Sequence, residues 1–129
     1  MGKKTYCNPL DLNYDYHVYE EGGPICLEAA DPVMVVFEEE YYLFSSITHG
    51  YWVSGDMVSW EFIACDETQL PNIYSYAPAV MVMDGAIYFH QGLYDKNLYR
   101  NRTPRNPDTW ELVTDNCYVG HDPFLFHDK

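Results

Sequence analysis

Two Asp-Pro steps are the features of this sequence best suited to chemistry. They are Asp31-Pro32 and Asp122-Pro123, and each comes directly before a short apolar run that is typical of a β-strand. Two carboxyl groups that a fold brings near each other can divide acid and base work, because each group alters the pKa of the other. Whether the carboxyl groups of Asp31 and Asp122 lie close together depends on the strands and turns that carry them.

Both steps belong to a strand pattern that occurs three times. The copies lie at residues 30–35, 76–81 and 121–126, and their prolines are 46 and 45 residues apart. A strand-rich period of about 40–50 residues is typical of β-propeller blades. The middle copy has Ala77 where the other two have Asp. Since equivalent positions of different blades lie around one shared axis, the repeat predicts that Asp31 and Asp122 point to the same place.

The order of strands and turns also repeats. Tyr42 and Tyr88 each follow their proline by ten residues, within runs that are aromatic or β-branched. Turns are predicted before these runs, at Glu38-Glu39-Glu40, which we expect to form a solvated tip, and at Asp84-Gly85, a strong hairpin signal. Further strands are predicted at 50–54, 58–63, 97–100 and 108–113, the second and fourth of which contain Trp60 and Trp110, two expected core residues.

The sequence therefore predicts an all-β fold of propeller blades, about two blades plus the first strand of a third. The predicted divisions are a lead-in at 1–28, blade 1 at 29–70, blade 2 at 71–116 and the start of blade 3 at 117–129. An ordinary β-sandwich is the alternative, although a sandwich does not need a repeated pattern. Propellers have roughly 4–8 blades, so we expect either a longer protein or a homodimer that completes the ring.

Composition narrows the classes of partner. The net charge of −13 argues against nucleic acid and anionic membranes as partners, and no apolar run reaches the ~18 residues of a membrane span. No signal peptide is visible, which leaves the localisation open. No cofactor is expected. The cysteines at positions 7, 26, 65 and 117 form no CxxC pair, so we expect no zinc, and mostly buried free thiols are favoured over disulfides.

Several motifs together resemble a known family. They lie at residues 5–9, 28–33, 41–46, 50–52, 76–80 and 121–123. These segments resemble the N-terminal part of glycoside hydrolase family 43, whose members are five-bladed β-propellers that hydrolyse α-L-arabinofuranosides, β-xylosides and related plant-polysaccharide linkages. The resemblance implies that Asp31 is the general base, and that Asp122 adjusts the pKa of the general acid. The acid, a Glu on the fourth blade, has no counterpart in residues 1–129, so we expect these residues alone to be inactive.

The implied chemistry is inverting hydrolysis, in which two carboxyl groups stand roughly 6.5–9.5 Å apart with a water between base and sugar. Trp52 and Tyr76 are candidates to stack on sugar rings, and His90 to contact sugar or a bound ion. For each of the three, a structural role in the core is the alternative. At the level of the whole chain, the alternative to an enzyme is a non-catalytic carbohydrate-binding or propeller-assembly module.

Overall fold

A computed structural model of the chain describes residues 12, 16–18, 25–27, 29–92, 95–118 and 120–128. Its strands are β1 (Tyr16–Val18), β2 (Ile25–Leu27), β3 (Val33–Phe37), β4 (Glu40–Phe44), β5 (Gly50–Ser54), β6 (Glu61–Ala64), β7 (Ala79–Met83), β8 (Ala86–His90), β9 (Leu98–Asn101) and β10 (Glu111–Thr114). A single 3₁₀ turn, Pro107–Thr109, is the one helical element among the described residues. None of the described residues forms a helix long and apolar enough to span a membrane.

Two four-stranded antiparallel sheets make up most of the described chain. Blade 1 has the order β3-β4-β5-β6, and blade 2 has the order β7-β8-β9-β10. The pairing of the first two strands is the same in both, since Val35 lies opposite Tyr42 in blade 1 and Met81 lies opposite Tyr88 in blade 2. This confirms the predicted all-β, propeller-type fold. The domain boundaries themselves remain predictions.

The hairpin turns of the two blades share one backbone conformation. Glu38 and Glu39 have φ angles of 48° and 67°, and Asp84 and Gly85 have the same two values. Two successive left-handed residues define a type I′ turn, whose twist matches that of the flanking strands. Glu38 and Glu39 are exposed as predicted, but Glu40 is not part of the tip. It is the first residue of β4, where its carboxylate binds Arg105.

Aromatic residues fill the space between the two sheets. Phe44 stacks on Tyr51 at a centroid distance of 4.7 Å and meets Phe89 of blade 2 at 5.8 Å. Trp110 is half-buried and packs edge-on against Phe44 and Tyr51, so it lies against the core. Because β-strands alternate their faces, these contacts use one face of each blade and fix the packing of blade 2 on blade 1.

The start of blade 3 differs from the prediction. Residues 120–128 include no strand, and Phe124 and Phe126 are 86% and 77% exposed. A strand is stabilised by backbone hydrogen bonds to a neighbour, and no described strand pairs with this segment. In the predicted lead-in, by contrast, β1 pairs with β2, which the sequence did not indicate.

Two of the four cysteines are free thiols. Cys65 is buried, and burial raises the pKa of its thiol to about 12, whereas Cys117 is half-buried with a raised pKa for the same reason. A thiol with so high a pKa is unreactive at neutral pH. Cys7 and Cys26 fall outside the side chains that the structure describes, so the prediction for them stays a prediction.

Candidate active site

Three residues in blade-equivalent positions share an unusual backbone conformation. Asp31, Ala77 and Asp122 have φ angles of 51°, 47° and 49°, and each precedes the proline that opens a copy of the repeat. The left-handed region is costly for most residues and is tolerated best by Gly, Asn and Asp. Asp suits these positions for that reason, whereas Ala77 adopts the same conformation without that advantage.

The carboxylate of Asp31 is held by a hydroxyl group. Ser46, which follows β4, donates a hydrogen bond from Oγ to Asp31 Oδ2 at 2.8 Å, and Ser46 Oγ accepts one from the backbone N–H of Ala77 at 2.8 Å. Ser46 is 1% exposed, while Asp31 itself is exposed. Within the described part of the chain, Oδ1 of Asp31 accepts no hydrogen bond. Ser46 therefore fixes one oxygen of a carboxylate that is exposed to solvent.

Backbone hydrogen bonds hold the Ser46 loop in place. Ser46 N donates to Ala30 O at 2.8 Å, which ties the loop to the residue before Asp31. Ile47 N donates to Ser75 O at 2.7 Å, which ties the same loop to the segment that leads into blade 2. The loop after β4 thus bridges the starts of both blades, and Asp31 and Ala77 lie on either side of it.

Gly92 occupies the position in blade 2 that Ser46 occupies in blade 1. Gly92 N donates to Tyr76 O at 3.1 Å, as Ser46 N does to Ala30 O. A Cβ atom on Gly92 would lie 2.6 Å from Ala77 O and 2.8 Å from Pro123 Cδ, so no larger residue fits without displacing its neighbours. The contact between Gly92 and Pro123 places the Asp122-Pro123 step against the start of blade 2.

These contacts join the three repeat starts at one end of the sheets. Asp31 is linked to Ala77 through Ser46, and Ala77 is linked to Pro123 through Gly92. Asp122, which precedes Pro123, is exposed. The arrangement leaves the Asp31 and Asp122 side chains accessible to solvent. Their predicted catalytic roles remain predictions.

The three predicted sugar-contacting residues lie in different surroundings. Tyr76 is 41% exposed and directly precedes Ala77, so its ring is accessible near the site. Trp52 is 1% exposed and packs on Phe62 at a centroid distance of 5.2 Å, which favours the alternative that it belongs to the core. Whether either ring binds sugar stays a prediction.

His90, the last residue of β8, is 4% exposed. Its Nδ1 lies 2.8 Å from the carbonyl oxygen of Asn97. A carbonyl only accepts hydrogen bonds, so Nδ1 carries the proton and the ring is fixed in one orientation. This contact gives His90 a structural role, and contact with a sugar stays a prediction. Among the described residues, no group of three or more His, Cys, Asp or Glu side chains is arranged to hold a metal ion.

Sequence reasoning did not identify Ser46. Ser46 ends the motif at residues 41–46, but its partners lie 15 and 31 residues away along the chain, so the motif alone gave it no role. The repeat itself offers a signal. Ser46 is equivalent to Gly92, and Asp31 is equivalent to Ala77, so blade 1 has a polar side chain at both positions and blade 2 has one at neither. Sequence reasoning also gave no role to His49. Its ring stacks on that of Tyr74 at a centroid distance of 4.2 Å, and the hydrogen bond from Ile47 N to Ser75 O joins the two segments that carry these rings.

Comparisons with known proteins give a match to a solved structure. No family model matches the chain, and neither does any curated protein. A solved structure described as an exo-1,5-alpha-L-arabinanase from a bovine ruminal metagenomic library matches with a TM-score of 0.52 and 23% identity. The match covers 80% of this chain and 44% of the arabinanase chain. At this identity the likeness shows the fold, and the chain accordingly shares the strand arrangement of part of a glycosidase.

Proposed function

We propose that the chain is part of a glycoside hydrolase of the family 43 type, which cleaves arabinofuranosyl or xylosyl linkages with inversion. The observation that carries the proposal is the exposed carboxylate of Asp31, which Ser46 holds through Oδ2. A general base needs this combination of a fixed orientation and access to water. The arabinanase fold and the sequence resemblance support the same class of substrate.

In the proposed reaction, Asp31 accepts a proton from a water molecule as that water attacks the anomeric carbon. A protonated carboxyl group on the other side of the sugar donates its proton to the leaving oxygen. Asp122 raises the pKa of that acid, because a second negative charge nearby disfavours the acid's ionisation. Tyr76, exposed beside the site, offers an aromatic face to the apolar side of a sugar ring.

The general acid that the resemblance implies has no counterpart in residues 1–129. The proposal therefore predicts which substrates these residues can cleave. Cleavage of a natural glycosidic bond needs a proton on the leaving alkoxide, so the chain by itself is inactive on arabinan. A 2,4-dinitrophenyl glycoside needs no such proton, since its leaving group is a stable phenolate. Base catalysis alone is then sufficient, and the contribution of a positioned base is typically 10²–10⁴-fold.

The test compares release of dinitrophenolate from the α-L-arabinofuranoside and from the β-D-xyloside by the purified chain. We expect turnover of at least one of them, its loss in the Asp31→Asn variant, and no release of sugar from arabinan. Asp84→Asn, which changes a carboxylate in the blade 2 turn, serves as the control and keeps full activity. Equal turnover by wild type and Asp31→Asn would contradict the role of Asp31.

A non-catalytic carbohydrate-binding module is the second candidate, and the exposed ring of Tyr76 favours it. That candidate predicts arabino-oligosaccharide binding, measured by calorimetry, with no turnover of either aryl glycoside. A homodimer that completes the ring predicts instead a mass of twice 15.1 kDa in light scattering, with dissociation coupled to unfolding.

A further inference from the structure

We propose that Ser46 is a positioning residue that sets the orientation of the Asp31 carboxylate and ties it to the backbone of the neighbouring blade. This inference rests on the proposed function, in which Asp31 is the base. It assigns to Ser46 no contact with substrate. The hydroxyl acts through Asp31 alone.

The direction of the Ser46 hydroxyl is determined by its two partners. A serine hydroxyl has one proton to donate and lone pairs that accept. The N–H of Ala77 can only donate, so it occupies a lone pair of Ser46 Oγ at 2.8 Å. The single proton is then directed at Asp31 Oδ2, also at 2.8 Å. The hydroxyl cannot turn away from Asp31 without losing this bond.

Burial makes this arrangement rigid. Ser46 is 1% exposed, so water does not compete for its hydroxyl. Its backbone is held on both sides, by Ala30 O through Ser46 N and by Ser75 O through the next residue. Asp31, in contrast, is exposed, and an exposed Asp side chain without such a partner samples several χ1 rotamers. We infer that the hydroxyl selects one of them and leaves Oδ1 as the oxygen that takes the proton from water.

The repeat supplies an internal comparison. In blade 2 the carboxylate is replaced by Ala77 and the hydroxyl by Gly92, whose surroundings leave no room for a side chain. The blade that lacks the carboxylate therefore also lacks the hydroxyl. This joint difference agrees with a hydroxyl that acts through the carboxylate, and the close approach of Ala77 and Pro123 to Gly92 keeps a side chain out of the equivalent position in blade 2.

The test measures the rotamer of Asp31 directly. Three-bond NMR couplings from Asp31 Cγ to its backbone nitrogen and carbonyl carbon report χ1 in the intact chain. We expect one rotamer in wild type, loss of that single-rotamer signature in Ser46→Ala, and its recovery in Ser46→Thr, which keeps a hydroxyl. Ser45→Ala is the matched control, because Ser45 is 4% exposed and its Oγ has no hydrogen-bond partner among the described residues.

A single Asp31 rotamer in Ser46→Ala would overturn the proposal, and so would equal averaging in Ser45→Ala. Should Ser46→Ala fail to fold, Ser46→Cys, which keeps the volume with a weaker donor, answers the same question. Activity on the dinitrophenyl glycoside gives a second readout, with kcat reduced by about 10- to 100-fold in Ser46→Ala and KM unchanged. A rotamer that depends on Ser46 while Asp31→Asn retains activity would refute the proposed function and leave the positioning intact.

Discussion

Blade 1 and blade 2 have nearly the same backbone and carry different side chains at the same end. Their hairpin turns have matching φ angles, and Asp31 and Ala77 share the left-handed conformation at 51° and 47°. At those positions, however, blade 1 has a carboxylate and a hydroxyl, and blade 2 has Ala77 and Gly92. The backbone conformation is thus common to both blades, while the combination of carboxylate and hydroxyl occurs in blade 1 and not in blade 2.

Equivalent ring residues of the two blades also differ in what they contact. Phe44 and His90 end the second strands of the two blades and lie opposite Val33 and Ala79, which begin the first strands. Phe44 is in the core between the blades, whereas His90 is bound to the carbonyl of Asn97. The face of blade 1 that holds Phe44 therefore packs on blade 2. The equivalent face of blade 2 has a hydrogen-bonded His90 in place of that aromatic core residue. The variants below test these assignments, and they are arranged from the largest expected effect to the smallest.

Phe44→Ala should have the largest effect on stability. Phe44 is 0% exposed and contacts Tyr51, Phe89 and Trp110, so its removal leaves a cavity between the blades. We expect a loss of about 3–5 kcal/mol in the free energy of unfolding, measured by urea denaturation. Phe62→Ala is the control, because Phe62 is 39% exposed. Equal losses in the two variants would show that the space between the blades is not the main core.

Gly92→Ala tests the close approach that distinguishes blade 2. The added Cβ would meet backbone oxygens of Tyr76 and Ala77 at 2.9 and 2.6 Å, and backbone does not move aside cheaply. We expect destabilisation of about 1–3 kcal/mol by the same assay. Gly55→Ala, where a Cβ meets nothing within 4 Å, should change stability by less than ~0.5 kcal/mol. If both variants behave alike, Gly92 is not under this constraint.

Tyr51→Phe tests a hydrogen bond between the blades. The buried hydroxyl of Tyr51 donates to Pro104 O at 2.5 Å, and burial raises the pKa of Tyr51, so the proton stays in place at alkaline pH. Its loss leaves a buried carbonyl without this partner, at a cost of about 1–2 kcal/mol in thermal or urea unfolding. Tyr118→Phe, at a residue that is 91% exposed, should be neutral. If Tyr51→Phe leaves the free energy of unfolding unchanged, the ring of Tyr51, and not its hydroxyl, stabilises the contact between the blades.

Glu40 should give the smallest effect and a pH dependence. The hydrogen bond from Arg105 holds the pKa of Glu40 below its ordinary value of 4.5. A lowered pKa in the folded state stabilises the fold fully above that ordinary value, and the contribution disappears as pH falls through the lower folded pKa. Because the pair is on the surface, we expect about 0.5 kcal/mol.

The measurement compares unfolding of wild type and Glu40→Gln at neutral pH and at about pH 3. The difference in stability should shrink at the lower pH, while Glu39→Gln, in the exposed turn, should show no such trend. A difference between wild type and Glu40→Gln that is constant across this range would assign the effect to packing instead of charge.

The strands were predictable from sequence because their signals are local. The run at 50–54 coincides with β5, and the turn at Asp84-Gly85 has the residues that its φ angles require. Glu38 and Glu39 adopt the same type I′ turn with residues that do not favour it, so only the comparison of the two units revealed that turn. The sequence also predicted a first strand of blade 3, but residues 120–128 include no strand. A strand needs a neighbouring strand for its backbone hydrogen bonds, and the local sequence does not show whether one is present.

The candidate site was predictable only in part. The Asp-Pro repeat identified Asp31 and Asp122 as equivalent positions, and the shared left-handed backbone agrees with that equivalence. Ser46 could not be found in this way, because its hydrogen bonds join segments that are distant in sequence and belong to two blades. Burial of Trp52 likewise depends on packing that its local sequence does not encode.

The most direct test of the central claim is the anomeric form of the first sugar released from 2,4-dinitrophenyl α-L-arabinofuranoside, followed by proton NMR before mutarotation. Asp31 acting as a base on water predicts that β-L-arabinofuranose appears first, with no release above the uncatalysed rate from the Asp31→Asn variant. Release of the α-anomer first, or release that persists in Asp31→Asn, would contradict the account.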